Sequence, residues 1–388
     1  MGTHFSKVVP TAIILLSLFY LCPSCFSQNY FCTYQLQDSP DGSAFYSLNV
    51  GVTESLYEYY TEKDHRLRSD HDFAAFVTPY ALQPIADSLT EIYGNDEDLT
   101  NGVLMIVHQI PYNETLPSKY PVETIVQNRG DCDLFSYVAA SILTSARLDV
   151  VLLYYEEEAH MNIGVHLSQP PQDAREQVYY VTYNGIQYYV AECTGGDWRN
   201  GWRVGECPQN LKESSPEALS LEGCEQWAPG QVSSSYQTLA QSTISLTASS
   251  AFATQGSDII LSGQLTPHLQ GETIMIYVKT NNLPWTALEA VTTRNEGRFE
   301  YAWRTEVAGI CYIRASWSGN SNYAGTDSPI LNIIVLSSLL IILIVITVAI
   351  LVLGTIAFLA SRRYPQEIQE PLPPEVPSYT GKAFTPDL

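Results

Sequence analysis

Apolar residues at helical spacing make the clearest pattern in the chain. Leu82, Ile85, Leu89 and Ile92 fall on one face of a helix expected over 79–93. Residues 95–98 open a second helix through Val103, Ile106, Val107 and Ile110, which Pro111 ends, and Pro121 starts a short helical turn holding Val122, Ile125 and Val126. The strongest stripe lies in 133–147, where Phe135, Val138, Ala139, Ile142 and Leu143 recur at i, i+3, i+4, i+7 and i+8. The period then changes. Residues 150–155 are nearly all β-formers, 161–167 alternate Met, Ile, Val and Leu with Asn, Gly and His, and 178–183 and 187–191 complete a β-run. Helices leading into an antiparallel sheet predict an α+β domain. Upstream, 30–60 reads as short strands and turns, with Asp38-Ser39-Pro40-Asp41-Gly42 as the turn signal. The stretch 209–242, rich in Ser, Glu, Pro and Gln, reads as a connector. Beyond it, strand-like runs at 258–261, 273–278, 299–303 and 311–317 between Gly/Asn turns predict a β-sandwich.

The two ends follow a different logic. From 330 to 360 only Asn332, four Ser/Thr residues and Gly354 interrupt an apolar run, and no charge does. About 20 apolar residues cross a bilayer core as a helix, so this run predicts a transmembrane helix. A buried core helix would show a polar face, which this run lacks. Arg362 and Arg363 form the positive flank expected on the cytoplasmic side. At the other end Lys7, the apolar stretch 12–21 and Cys25-Phe26-Ser27 follow the order of a secretory signal peptide over 1–27. The organisation expected is a signal peptide (1–27), an N-terminal β-rich extension (28–71), an α+β domain (72–208), a linker (209–242), a sandwich (243–329), a transmembrane helix (330–360) and a Pro-rich cytoplasmic tail (361–388). That is a single-pass protein of the cell membrane with the bulk of its chain outside. The sandwich resembles the immunoglobulin-like modules of surface proteins in architecture, although Cys311 stands alone there.

Charge narrows the partners. The formal net charge is −22, and it resides almost wholly between the two ends, since 1–27 and 361–388 cancel. Such a surface repels nucleic acid and anionic lipid. Six cysteines follow the signal: Cys32, Cys132, Cys193, Cys207, Cys224 and Cys311. No CxxC pair is among them, no cofactor or metal is expected, and Cys207 with Cys224 is the expected bridge. His65 and His71 lie among Asp64, Asp70 and Asp72 at no helical ligand spacing, and read as a solvated loop. His108 and His166 show no visible partner, and Asn113-Glu114-Thr115 matches a glycosylation sequon.

Cys132 is the centre of the candidate chemistry. It follows Gly130-Asp131 at the first residues of the strongest helix, where free N–H groups and the helix dipole favour a thiolate. Asp131 is the expected N-cap. The neighbouring aspartates oppose thiolate formation, so a base is needed, and His160, which opens a strand, is the candidate. Glu192, ending the strand Tyr188-Tyr189-Val190-Ala191, is the acid that would fix the imidazole tautomer and stabilise the imidazolium. Tyr154, Tyr155, Tyr188 and Tyr189 either line a substrate groove or pack the sheet.

These segments carry a resemblance. Lys119-Tyr120-Pro121-Val122-Glu123-Thr124, Gly130-Asp131-Cys132, His160-Met161-Asn162-Ile163-Gly164-Val165 and Tyr188-Tyr189-Val190-Ala191-Glu192-Cys193-Thr194, in that order, resemble the transglutaminase-like superfamily. Gly201-Trp202-Arg203-Val204-Gly205-Glu206 looks like its prokaryotic branch, in a membrane-anchored form. The resemblance implies a papain/transglutaminase-like core with Cys132 as nucleophile, His160 as base and Glu192 as orienting acid. Many relatives have Asp where this chain has Glu192, so Asp197 in the following loop is the fallback. Cys193 replaces a usual small residue, and strand alternation points it into the core or a disulfide. Gln109 falls where such folds can place an oxyanion donor beside the Cys132 backbone N–H.

The function expected is acyl transfer or hydrolysis at amide bonds of a protein or peptide substrate at the cell surface. The alternative is a non-catalytic binding or structural ectodomain that keeps the fold.

Overall fold

The computed structural model describes residues 29–281, 283–363 and 381. The expected signal peptide and most of the expected tail lie outside the described residues, as do the side chains of Asp70 and His71.

Strands β1 (Tyr30–Gln37) and β2 (Phe45–Val52) pair antiparallel across the 38–42 turn, with Gln37 opposite Phe45. The chain then forms a helix, α1 (Glu54–Thr61), where the sequence suggested strands. Thr53 caps it by accepting the Leu56 N–H, and Glu54 sits in its first turn. The expected helices follow as α2 (Pro79–Ile92), α3 (Asp96–Val107), α4 (Pro121–Gln127) and α5 (Cys132–Ser145). Proline opens α2 and α4, where a missing N–H costs nothing, and Asn95 caps α3 through the Asp98 N–H. In α5 the whole predicted stripe is 0 % exposed. This helix is central because α2, α3 and α4 pack on one side and the main sheet on the other.

That sheet holds β3 (Asp149–Tyr155), β4 (His160–His166), β5 (Tyr180–Tyr183), β6 (Ile186–Ala191) and β7 (Glu217–Leu219), ordered β5-β6-β4-β3-β7 and antiparallel throughout. A further strand, β8 (Ser233–Ser235), pairs with β2. The expected connector 209–242 is therefore built into two sheets, and its Cys224, Ala228 and Val232 are buried in the main core. A polar average hid a few apolar residues at buried positions. The segment 28–71 belongs to the same core, since Leu36, Leu48 and Val50 pack with Leu82, Phe135 and Val232.

The remaining strands are β9 (Thr243–Ala248), β10 (Phe252–Thr254), β11 (Asp258–Thr266), β12 (Thr273–Thr280), β13 (Thr286–Thr292), β14 (Arg298–Arg304), β15 (Gly309–Gly319), β16 (Ala324–Asp327) and β17 (Leu331–Leu336). Two sheets, β14-β11-β9 and β10-β17-β15-β12-β13 with β16 on β15, close over Ile259, Leu261, Ile276, Ile313 and Trp317. Strand β17 corrects the start of the apolar run. Ile333 and Val335 point into the sandwich core while Asn332 is exposed, so 331–336 is a strand with alternating faces. The helix itself, α6 (Ser338–Arg363), begins after it. Its segment Ser338–Ala360 is the one helix among the described residues long and apolar enough to cross a membrane.

The sandwich is joined to the first domain by charge. Arg314, 1 % exposed, meets Glu58 at 2.5 Å and Glu54 at 3.6 Å, and its guanidinium lies 4.5 Å from the Trp285 ring centre. Lys279 pairs with Glu62 at 2.7 Å, and Asp327 accepts the Ser55 N–H at 2.7 Å at the start of α1. Glu54, Glu58 and Glu62 are thus one acidic stripe at i, i+4 and i+8 turned toward two cations.

All six cysteines among the described residues are free thiols. Cys207 packs with Tyr155 and Leu211 on one side of the sheet, while Cys224 lies in the helical core, so the expected bridge is absent.

Candidate active site

Cys132 is the first residue of α5. The turn before it is fixed by a short parallel bridge. Asn113 donates to the Gly130 carbonyl at 2.6 Å, and Gly130 donates to the Pro111 carbonyl at 3.3 Å. A Cβ on Gly130 would come within 3.1 Å of Leu134 and 3.0 Å of Phe135, so the approach is tight. Asp131 occupies the N-cap position, but its carboxylate accepts from the Thr115 N–H at 2.7 Å instead of a helix N–H. Asp133 is partly buried beside it and accepts from Ser118 at 3.2 Å. Burial, then the Asp131 carboxylate, push its pKa well above the usual carboxylate range. The Ser136 hydroxyl, 2.7 Å from the Cys132 carbonyl and 3.2 Å from that of Met161, ties the start of α5 to β4.

His160 opens β4 and contacts the Cys132 sulfur. Its Nε2 faces Glu192, 2.9 Å from Oε2 and 3.2 Å from Oε1. The register explains the contact. Ile163 pairs with Ala191 across β4 and β6, so the next residue, Glu192, lies beside Asn162 and within reach of the ring. Glu192 is 0 % exposed and accepts from Asn162 at 3.1 Å, the Thr194 N–H at 2.8 Å and the Thr194 hydroxyl at 2.5 Å. Burial raises its pKa, but these donors and His160 outweigh burial and the net shift is downward. For His160, burial works against the charged ring, and the contacts with Cys132 and Glu192 overcome it, raising the pKa to about 10. The arrangement can hold an imidazolium between an anionic acid and a sulfur.

The other candidates sort by position. Gln109 is not brought into the site as a donor. Its amide nitrogen is spent on the Gln35 and Met105 carbonyls, both at 2.8 Å, and its oxygen accepts the Gln35 N–H at 2.8 Å. It satisfies the edge of β1, a tertiary demand invisible in the local sequence. Asp197 is in an exposed turn and accepts from Arg199 and Asn200, so it does not replace Glu192. Cys193 is fully buried, its thiol 3.5 Å from the Ala191 carbonyl, and burial holds its pKa well above the ordinary value. Tyr188 bonds Asp149 and packs with Val190, a sheet-packing role. His65 is held by Glu123 and the Lys63 carbonyl, both at 2.7 Å, and His166 bonds the Gln187 carbonyl. Among the described residues no group of three or more His, Cys, Asp or Glu converges for a metal.

Two positioning residues were not read from the sequence. One is Ser136. The other is His108, 3 % exposed, whose Nε2 donates to the Glu192 carbonyl at 3.0 Å. Burial lowers its pKa, in keeping with a neutral ring. Gly201 lies so close that a Cβ there would come 2.3 Å from His108 Nδ1. The loop after Glu192 is thus molded on this ring. A cleft of about 790 Å³ opens beside His160, bordered by His108, Ile110, Tyr112, Gly195, Trp202 and Leu211 among others.

No protein-family model matches the chain, and no curated protein matches it. Among solved structures it is similar to red sea bream transglutaminase, at 9% identity over 79% of this chain and 62% of that chain, with a TM-score of 0.18. It is also similar to a CARDB domain from Pyrococcus furiosus in complex with di-metal ions, at 9% identity over 25% of this chain and 94% of that one, TM-score 0.18. A beta-glucosidase from Listeria innocua in complex with glucose matches at 12% identity, 24% of this chain against 16% of that chain, TM-score 0.18. The chain therefore spans less than two thirds of the transglutaminase and a small part of the glucosidase. These are weak likenesses of shape, and the site rests on its own geometry.

Proposed function

We propose that this chain is a membrane-anchored, outward-facing thiol enzyme of the transglutaminase-like kind, acting on amide bonds of proteins or peptides at the cell surface. The observation that carries the reading is the wholly buried Glu192 carboxylate on His160 Nε2, with Cys132 the other group that favours the charged ring. A buried acid is costly unless its charge is used. Here its partner is a histidine next to a cysteine at a helix start.

In the proposed reaction the Cys132 thiolate attacks the amide carbon, forming a C–S bond. The first backbone N–H groups of α5, which have no acceptor within the helix, would stabilise the oxyanion. As the C–N bond breaks, the His160 imidazolium gives its proton to the leaving amine. Water then attacks the thioester, His160 takes its proton, and a carboxylic acid leaves as Cys132 is restored. An amine in place of water would give a transferase. Arg362 and Arg363, which follow the apolar segment Ser338–Ala360, support the outward orientation.

The test is to incubate the full chain in detergent with a peptide-amide library, quench in acid and map adducts by mass. An acyl group on the peptide containing Cys132, absent in Cys132→Ala, is the expected result. A folded protein that carries no adduct on Cys132 at any pH from about 5 to 9 contradicts it.

A further inference from the structure

The cleft beside His160 has a lining without a single Asp, Glu, Lys or Arg. The chain as a whole carries 41 acidic and 19 basic residues, so a cleft whose one charged side chain is the His160 imidazolium stands apart from its surroundings. Ile110 and Leu211, 1 % and 3 % exposed, line it beside the polar but uncharged Gln109, Thr194 and Asn210. Two aromatic residues, Tyr112 and Trp202, also border it. Tyr112 is 58 % exposed yet held in place, by the 111–113 bridge to Gly130 below and by an edge-on contact with Phe135, 6.3 Å between centres. Trp202 is half-buried and sits in a loop pinned on its far side, where Arg203 pairs with Asp41 at 2.7 Å and Glu206 with Arg175 at 2.6 Å. The lip is formed by Gly195 and Gly196, and a Cβ on Gly196 would meet nothing within 4 Å.

From this lining we infer that the cleft is a binding subsite for a bulky uncharged side chain, aromatic or branched aliphatic, on the peptide acyl donor. This inference rests on the acyl-transfer reading above. A ring entering the cleft exchanges water for contact with Tyr112, Trp202 and the aliphatic residues of the lining. A charged side chain would lose hydration, and the one charged group in the lining, His160, is already paired with Glu192. The volume is of the size that takes such a group with part of its backbone. The same lining offers no carboxylate to a lysine side chain, which favours water as the acceptor.

The experiment uses the full chain in detergent and a set of peptide amides that differ at one position beside the reacting residue, carrying Phe, Leu, Gly, Asp or Lys. Acylation of Cys132 is followed by intact mass. The Phe and Leu peptides are expected to acylate at least ~10-fold faster than Asp or Lys, a margin in keeping with apolar pocket discrimination. Trp202→Ala should bring the rates to within about threefold, chiefly through KM. Tyr112→Ala, at an exposed position that tolerates change, should do the same in a protein whose folding is not in question. Gly196→Lys, which has room, should raise the rate with the Asp peptide. Equal acylation by all peptides, or a preference unchanged in both aromatic variants, overturns the subsite and leaves the acyl-transfer reading intact. No acylation of Cys132 by any peptide removes that reading and the subsite with it.

Discussion

A carboxylate with no exposure to water survives only where its charge is met, and Glu192 is met by His160, Asn162 and two groups of Thr194. Replacing it by Gln keeps the shape and removes the charge. Glu192→Gln is therefore expected to slow Cys132 alkylation at neutral pH by ~10-fold or more, measured with a thiol probe, because the imidazolium loses its anion. A pH effect on stability follows from the same contact. The pKa of His160 is raised from 6.5 to about 10 in the folded state. The stabilisation is fully present below pH 6.5 and is lost as pH rises through about 10. Denaturant midpoints should fall over that window, and His160→Gln should flatten the fall. The three residues of the proposed triad were legible because each sits in a local segment with its own signal. Gln109 was misread because its partner, Gln35, lies on a strand 74 residues away. His108 and Ser136 were missed for the same reason, since each bonds a carbonyl contributed by another element.

Elements were legible where one face is buried along a regular period. The helices α2 to α5 and the strands β3 to β6 emerged within a few residues of their bounds. The acidic stripe of α1 was missed because its meaning depends on Arg314 and Lys279, more than 200 residues downstream. The last strand was missed because a continuous apolar run does not distinguish a strand from the helix that follows. Its period of two is carried by Asn332, Ile333 and Val335 alone. If β17 is part of the sandwich core, Ile333→Ala should destabilise the sandwich by ~2–5 kcal/mol, the cost of a buried cavity, as read from urea unfolding. A residue in a lipid-facing helix would show no such loss.

At the scale of the molecule, the α+β domain and the sandwich meet through ion pairs around the buried Arg314. Arg314→Ala leaves Glu58 and Asp327 without their cation. We expect a loss of ~3–5 kcal/mol and a split of one unfolding transition into two, observable by calorimetry. The C-terminal apolar helix, long and apolar enough to cross a membrane, was legible from composition alone.

Cys132 and His160 are proposed to act as a reactive pair, and the rate at which a thiol probe alkylates Cys132 reads that pairing. At neutral pH the wild-type chain is predicted to alkylate at least ~10-fold faster than His160→Ala. Equal rates in the two folded proteins would rule the pair out.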